Sequence, residues 1–162
     1  MKIRIIGGCG SGKTYIAKVL SAKLNIVHIQ TDNLVWNRTD NTKYPEEMRN
    51  KMLEDIVSQD SWIIEGVHYK WGLSSFEEAD FIFIIRPGLW VQNWRVIRRF
   101  MKTRFRLEER NYTQDFKNLI TMIGWNQEFE DKSIDKIIEM TSQFESKRFL
   151  VNDNKDILNI LL

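Results

Sequence analysis

The sequence has little cysteine, little proline and no long hydrophobic run. Its single cysteine, Cys9, cannot form a disulfide within the chain, so a disulfide-stapled fold is excluded. A lone thiol suits a reducing compartment, and we expect a cytoplasmic protein. Two prolines and no Pro/Gly-rich stretch leave no recognisable linker, so we expect one domain over residues 1–162. Because no apolar run approaches about 18 residues, we expect no membrane partner.

Charge is nearly balanced overall but unevenly distributed. The chain has 24 Lys and Arg against 22 Asp and Glu, a net charge of +2, which is no whole-protein signature of a nucleic-acid binder. Residues 86–110 alone contain eight basic and two acidic side chains and carry +6, so the remainder carries −4. One basic segment on a mildly acidic body predicts a local anionic ligand.

Short apolar segments alternate with amphipathic ones along the chain. The pattern predicts strands at 2–6, 26–29, 62–64, 81–85 and 148–151, and helices at 13–24, 45–58, 89–105, 113–123, 132–144 and after Asp153. The strands lack two-residue alternation, which is typical of a parallel sheet covered on both faces. We therefore predict an α/β fold that binds its ligand at the carboxyl ends of the strands.

Between the first predicted strand and helix, residues 7–14 read GGCGSGKT and match the pattern G-x-x-x-x-G-K-S/T completely. In such a loop backbone N–H groups cradle phosphates, the lysine reaches the β- and γ-phosphates, and the hydroxyl ligates magnesium. The motif predicts an ATP site with Mg²⁺, against the alternative of a ligand-free turn. The predicted binding residues are Gly7, Gly8, Cys9, Gly10, Ser11, Gly12, Lys13 and Thr14.

The basic segment indicates which kind of nucleotide protein this is. The chain is short for a helicase or transporter and lacks the Asn-Lys-x-Asp motif of G proteins. A kinase needs cations on a lid to neutralise the transferring phosphoryl group and to exclude water. Arg95 and Arg99 lie four residues apart on one predicted helical face, so we expect both to act in catalysis. The alternative is a solvated helix face.

Four segments together resemble the small adenylate kinase-related proteins, some of which are labelled DNA topology modulation proteins of the FlaR type. These segments are the loop at 7–14, Asp32 after the second strand, Trp-Ile-Ile-Glu-Gly at 62–66, and Trp94–Arg99. The resemblance covers most of residues 1–106. It implies a three-layer P-loop fold with strand order 2-3-1-4-5, an acceptor-binding region at about 33–60 and a lid-like basic region at about 89–112.

The resemblance carries over unevenly to individual residues. Asp32 lies where an acceptor group should bind, and it could take a proton from a hydroxyl or cap the following turn. Glu65 lies where relatives place a magnesium-organising carboxylate, so it could hold the metal with Thr14 or simply face water. Relatives continue after the third strand with Asp-Gly-(Phe/Tyr)-Pro-Arg, and after the fourth often with Asp-x-Pro. This chain has Glu65-Gly66-Val67-His68 and Arg86-Pro87, so ordinary adenylate kinase activity is not expected.

Several candidates remain open on the acceptor side. His68 could contact an acceptor, and Trp36 and Trp71 could stack on one or pack internally, whereas the other tryptophans are expected in the core or an interface. The expected function is ATP-dependent phosphoryl transfer to a nucleoside, nucleotide or related metabolite. A hydroxyl nucleophile would need Asp32 as base, and a phosphate would need Arg38 or Arg49. The alternatives are a nucleotide-dependent DNA-binding regulator and an ATP-binding module with slow ATPase activity. Oligomeric state is not readable.

Overall fold

The computed structural model describes residues 1–104 and 116–161. Its strands are β1 (Lys2–Gly7), β2 (His28–Gln30), β3 (Trp36–Asn37), β4 (Thr42–Lys43), β5 (Trp62–Gly66), β6 (Phe81–Ile85) and β7 (Arg148–Val151). Its helices are α1 (Lys13–Leu24), α2 (Asp32–Val35), α3 (Glu46–Val57), α4 (Ser74–Glu77), α5 (Leu89–Arg104), α6 (Phe116–Glu128), α7 (Ile134–Met140) and α8 (Asp156–Leu161). A π-helical segment, Phe129–Ser133, joins α6 to α7, and a 3-10 helix, Ser142–Lys147, precedes β7.

Five of these strands form one parallel sheet in the order β2-β5-β1-β6-β7. Counted in chain order among the five, this is the predicted order 2-3-1-4-5, so the predicted P-loop fold is confirmed. The central strand β1 pairs with β5 on one side and β6 on the other. The phosphate loop that follows β1 therefore emerges in the middle of the sheet edge.

Helices cover both faces of the sheet. On one face Ile6, Ile64 and Ile84 pack in a cluster that includes side chains of α3 and α7. On the other face Ile5, Ile63 and other alternate residues pack with side chains of α1 and α8. Because neighbouring residues of each strand enter opposite cores, the strands are apolar without alternation.

Most predicted elements agree with the structure to within a few residues. The predicted α1, β6 and β7 have the observed bounds, whereas β2 begins two residues later than predicted, at His28. Asn25 ends α1 in a left-handed conformation (φ 55°), and its N–H donates to Ser21 O. The antiparallel β3–β4 hairpin was not predicted.

The two predicted ligand regions differ in how much of each is described. The acceptor-binding region at 33–60 contains most of α2, the β3–β4 hairpin and α3. The lid-like region at 89–112 contains α5, but its residues 105–112, with Arg106 and Arg110, lie outside the described residues. Among the described residues, no helix has the length and apolarity that a membrane crossing requires.

Candidate active site

Polar side chains gather where three adjacent strands end. The phosphate loop follows β1, Asp32 comes two residues after the end of β2, and Glu65 is the penultimate residue of β5. The pairing register places Gln30 and Ile5 beside Glu65 in the neighbouring strands. The parallel arrangement therefore brings these three sequence-distant segments to one edge of the sheet, where α/β proteins bind ligands.

Glycine is required at two positions of the phosphate loop. Gly10 and Gly12 have φ of +75° and +92°, a region that other residues rarely adopt. A Cβ at Gly10 would lie 2.6 Å from the backbone oxygen of Gln92, and one at Gly12 would lie 2.5 Å from Asn154 Nδ2. The loop is thus closely packed from outside by α5 and by the segment after β7.

Lys13 lies over this loop. Its Nζ donates to Gly8 O at 3.1 Å, and its charge helps to lower the pKa of both Asp32 and Glu65. One ammonium group therefore acts electrostatically on the loop and on both carboxylates that the sequence singled out. This is the arrangement that a transferring phosphoryl group requires, since its charge must be neutralised at one point.

Thr14 and Glu65 are directly joined. Thr14 Oγ1 donates to Glu65 Oε1 at 2.7 Å, and His28 Nε2 lies 3.6 Å from the same oxygen. Burial of Glu65 raises its pKa, but His28, Lys13 and Thr14 together outweigh this effect and lower the pKa below its ordinary value. Glu65 is therefore an ionised carboxylate in an almost solvent-free position, 2% exposed.

Asp32 is paired with a histidine that follows β5. His68 Nε2 lies 3.1 Å from Asp32 Oδ1. This hydrogen bond lowers the pKa of Asp32, burial opposes it, and the charges of Lys13 and Arg38 lower the pKa further. The two residues that the sequence assigned separately to the acceptor side thus form one unit.

The structure gives Arg95 and Arg99 different neighbours. Arg95 Nη1 lies 3.4 Å from Gly10 O and 3.3 Å from Ser11 O, directly against the phosphate loop. Arg99 Nη2 instead lies 3.4 Å from Met122 Sδ of α6. The described contacts therefore connect Arg95, and not Arg99, to the nucleotide-binding loop.

Two cavities share Trp125, and one of them adjoins the phosphate loop. That cavity, of about 230 Å³, lies between Gly8 and Cys9 of the loop, Tyr69, and the end of α6. The other, of about 370 Å³, lies between α6 and the β3–β4 hairpin and is lined by Trp36 and Arg38. The space next to the loop is therefore bordered by an indole ring.

The tryptophans occupy mixed environments. Trp62 is fully buried, as expected for a core residue, and Trp36 and Trp71 are partly buried. Trp90, Trp94 and Trp125 are 81%, 56% and 56% exposed, so the core position that the sequence allowed for them is wrong.

Several residues around the loop were missed by sequence reasoning. Gln92 and Asn126 are buried against Gly8, where a Cβ would lie 2.6 and 3.2 Å from their side-chain oxygens. Asn154 Nδ2 donates to Gly12 O at 3.3 Å. These amide side chains follow no recognisable sequence spacing. Only Asn154 could have been noticed, because it lies just after the strand β7.

Arg86 lies where relatives have Asp-x-Pro. Its Nε and Nη2 donate to Glu130 Oε1 at 2.8 Å and 2.6 Å.

The residues present fit a magnesium-bound nucleoside triphosphate. The positive-φ glycines open a backbone cradle, and Ser11 Oγ inside it is buried with no hydrogen-bond partner in the part of the chain described. The Thr14 hydroxyl and the Glu65 carboxylate are hard oxygen donors of the type that Mg²⁺ selects. Phosphate oxygens would find donors here, and the metal would find ligands beside them.

The strand order and this loop define a P-loop kinase-like fold. Among solved structures, shikimate kinase from Bacteroides thetaiotaomicron superposes with a TM-score of 0.50 over 95% of this chain and 86% of that one, at 16% sequence identity. A likeness at this identity concerns the fold.

Sequence comparison adds a relative without a described activity. The uncharacterized protein YqaC from Bacillus subtilis (strain 168) is 34% identical over 88 residues, which cover 51% of this chain. The match spans 48%, about half, of the length of YqaC. No family profile matches the sequence.

Proposed function

We propose that this protein transfers the γ-phosphoryl group of ATP to a small-molecule acceptor, a nucleoside, nucleotide or related metabolite. The observation that carries the proposal is the position of Lys13, whose charge acts on the phosphate loop, on Asp32 and on Glu65 together. A structural glycine-rich turn would need neither a lysine at its end nor two ionised carboxylates within reach of it. In phosphoryl transfer to a hydroxyl, the lysine would neutralise charge, one carboxylate would help to hold the metal, and the other would help to remove the proton.

Each part of the loop has a task in this reaction. The backbone N–H groups of residues 7–14 would bind the phosphates, and Lys13 would neutralise charge on the β- and γ-phosphates. Thr14 and Glu65 would hold Mg²⁺, directly or through water. The metal supplies Lewis-acid stabilisation of the phosphate oxygens when bound. Arg95 would add positive charge from the α5 side, where it already contacts the loop.

The acceptor would bind across the loop from the nucleotide. One cavity beside Trp125 is bordered by Gly8 and Cys9 of the loop and by Val67 and Tyr69. These last two residues flank His68, the hydrogen-bond partner of Asp32. The resemblance to adenylate kinase-related proteins of the FlaR type supports a kinase of small metabolites, located in the cytoplasm and working as a single domain. The acceptor loop, Glu65-Gly66-Val67-His68, lacks the arginine with which that family holds the acceptor phosphate, and this supports an acceptor other than AMP.

A radiolabel transfer screen tests this proposal. Wild-type protein is incubated with ATP labelled in the γ-phosphate, MgCl₂, and panels of nucleosides, nucleotides and hydroxylated metabolites, and labelled products are separated. We expect at least one labelled product that is neither ATP nor inorganic phosphate.

Lys13→Ala should lower the transfer rate at least about a hundredfold, because it removes charge stabilisation from the transition state. Lys18→Ala, which removes an exposed lysine of the same helix, should leave the rate unchanged. Equal rates in wild type and Lys13→Ala, or release of inorganic phosphate alone, would contradict the proposal.

A further inference from the structure

The acceptor side of the site carries a carboxylate–imidazole pair. Asp32 begins α2 after β2, and His68 follows β5, the strand adjacent to β2 in the sheet. Their side chains meet at 3.1 Å, between Asp32 Oδ1 and His68 Nε2. The pair lies within electrostatic reach of Lys13, because the lysine charge acts on Asp32. Val67 and Tyr69, the neighbours of His68 in the chain, line one cavity together with Gly8 and Cys9 of the phosphate loop, so the segment that carries the imidazole borders the loop.

The backbone of His68 is also fixed by a hydrogen bond. Arg4 Nη2 donates to His68 O at 2.7 Å, and Arg4 Nη1 donates to Ile5 O at 2.9 Å. This guanidinium is 1% exposed, lies 4.8 Å from the Phe76 ring centroid, and has its pKa lowered by burial to about 10. Burying a charge inside a sheet layer is unfavourable unless its hydrogen bonds are satisfied. Arg4 Nε has no hydrogen-bond partner among the described residues, whereas the bond from Nη2 fixes the backbone that carries His68.

The imidazole ring itself has a defined orientation. The centroid of the His68 ring lies 5.4 Å from that of the Trp71 ring. The Arg49 guanidinium also packs on Trp71, with its carbon 4.4 Å from the ring centroid. An ionised carboxylate only accepts hydrogen bonds, so Asp32 requires the proton of a neutral His68 ring on Nε2. The lone pair on Nδ1 is then available to take a proton. This is the arrangement of an oriented general base.

The arginines of the acceptor region already have partners within the chain. Arg49 Nε donates to Asn50 Oδ1 at 3.1 Å while its guanidinium stacks on Trp71. Arg38 Nε donates to Asn33 Oδ1 at 3.2 Å, and its charge already helps to lower the pKa of Asp32. An acceptor phosphate placed beside Asp32 would also face the negative charge of that carboxylate. These contacts favour a neutral hydroxyl at this position over a phosphate.

We propose that the acceptor is an alcohol and that His68, oriented by Asp32, receives its proton. This inference rests on the proposed phosphoryl transfer and adds the acceptor class to it. The alcohol oxygen forms a bond to the γ-phosphorus while the bond from that phosphorus to the β,γ-bridging oxygen breaks. ADP leaves with the electron pair, and the hydroxyl proton moves to His68 Nδ1. Asp32 stabilises the resulting imidazolium until the proton passes to water.

The first test reads the ring without any substrate. The chain has two histidines, so long-range ¹H–¹⁵N NMR of the full-length protein at a pH where both rings are neutral gives two ring patterns. His68→Gln identifies which pattern belongs to His68. We expect the Nε2–H tautomer in wild type and a loss of this preference in Asp32→Asn. A ring protonated on Nδ1 in wild type would overturn the role of His68.

The second test compares acceptors with the same labelled ATP. The probes are the alcohols uridine, thymidine and shikimate, and the phosphates UMP and dTMP. We expect monophosphate products from alcohols, and His68→Gln should lower kcat about a hundredfold while KM changes less than about threefold. Asp135→Asn makes the same chemical change on the exposed face of α7. It is the matched control for Asp32→Asn and should leave kcat unchanged.

The outcomes separate the two proposals. Diphosphate products from UMP or dTMP alone would overturn the alcohol acceptor while phosphoryl transfer itself stands. Alcohol products with an unchanged kcat in His68→Gln would overturn the proton-transfer role only. No product with any probe, together with no ADP formation, would count against the proposed function and therefore against the proton transfer.

Discussion

At the scale of single residues, charge neutralisation around Lys13 is the organising feature. The charge of Lys13 helps to lower the pKa of both Asp32 and Glu65, yet the surroundings of the two carboxylates differ. Glu65 is buried with Thr14, whereas the Asp32 side chain is 54% exposed and bonds His68. A buried carboxylate bonded to a hydroxyl suits metal binding, and an accessible one bonded to an imidazole suits contact with an incoming molecule.

The pairing of Asp32 with His68 makes the stability of the fold depend on pH. Because its pKa is lowered in the folded protein, ionised Asp32 stabilises the fold above its ordinary pKa of about 3.9. This contribution is lost as the pH falls through the lower, folded-state pKa. We expect wild type to melt at a higher temperature than Asp32→Asn between about pH 5 and pH 7. The difference should begin to shrink near about pH 4 and disappear once the pH is below the folded-state pKa. The effect should be small, since the pair is partly solvated.

Thermal unfolding followed by circular dichroism across this pH range measures that difference. A melting-temperature gap that stays constant from neutral pH down to strong acid would show that Asp32 stabilises the fold by a means other than its charge.

The single residues also show what the sequence could and could not predict. Lys13, Thr14 and the strand-end carboxylates were found because a contiguous motif and the ends of apolar runs identify them. Arg4 was missed because a basic residue inside a short strand is ordinarily read as a solvent-exposed position at the edge of a sheet. In the structure it is buried, and it donates to the carbonyl of His68, 64 positions away in the chain. Contacts at such separations depend on the tertiary fold and leave no local pattern.

At the scale of elements, α5 joins the phosphate loop to the rest of the basic segment. Its buried residues Gln92, Val96 and Phe100 recur every four positions, and Arg95 lies beside this stripe against the loop. The amphipathic pattern was sufficient to predict the helix and its first residue. It was not sufficient to predict that Arg95 and Arg99 would contact different neighbours, because that depends on where α6 packs.

This difference predicts unequal effects of the two arginines. Arg95→Gln should lower transfer at least about tenfold, since an arginine beside a transferring phosphoryl group can contribute a thousandfold or more. Arg99→Gln should reduce transfer less and lower the melting temperature, because Arg99 contacts α6. Arg98→Gln, which alters an exposed arginine between them, should change neither. Steady-state transfer assays and thermal melts give both quantities.

The same variants distinguish the kinase from a DNA-binding regulator. At about 150 mM salt, where exposed charges are screened within about 8 Å, we expect no retardation of duplex DNA by wild-type protein. Unchanged transfer in Arg95→Gln, accompanied by loss of a salt-sensitive DNA complex, would instead favour the regulator.

Small elements were the least predictable. The β3 and β4 strands contain two residues each, too few for a strand pattern. The hairpin is visible only in its two pairs, Trp36 with Lys43 and Asn37 with Thr42. The π-helical segment 129–133 was predicted in part as ordinary helix, because a single wider turn leaves the apolar spacing almost unchanged. Both features border the acceptor side, so the sequence described the nucleotide side of the site better.

At the scale of the whole molecule, two cores share one sheet. Leu20 belongs to the core on the α1 face and Ile137 to the core on the α7 face, and both are fully buried. Leu20→Ala and Ile137→Ala should each lower the free energy of unfolding by about 2–5 kcal/mol. If residues 1–162 fold as one domain, both variants should unfold in a single transition with coincident fluorescence and circular dichroism. Two separated transitions would contradict the single domain.

In the proposed function, this fold couples ATP cleavage to phosphorylation of another molecule. Phosphorus NMR of wild-type protein with ATP, MgCl₂ and the acceptor identified in the transfer screen tests it most directly, because every phosphorus species is counted at once. We predict that ADP and a new phosphoester signal grow in equal amounts and that neither grows with Lys13→Ala. ADP accompanied by inorganic phosphate alone would make the protein an ATPase and would contradict the account.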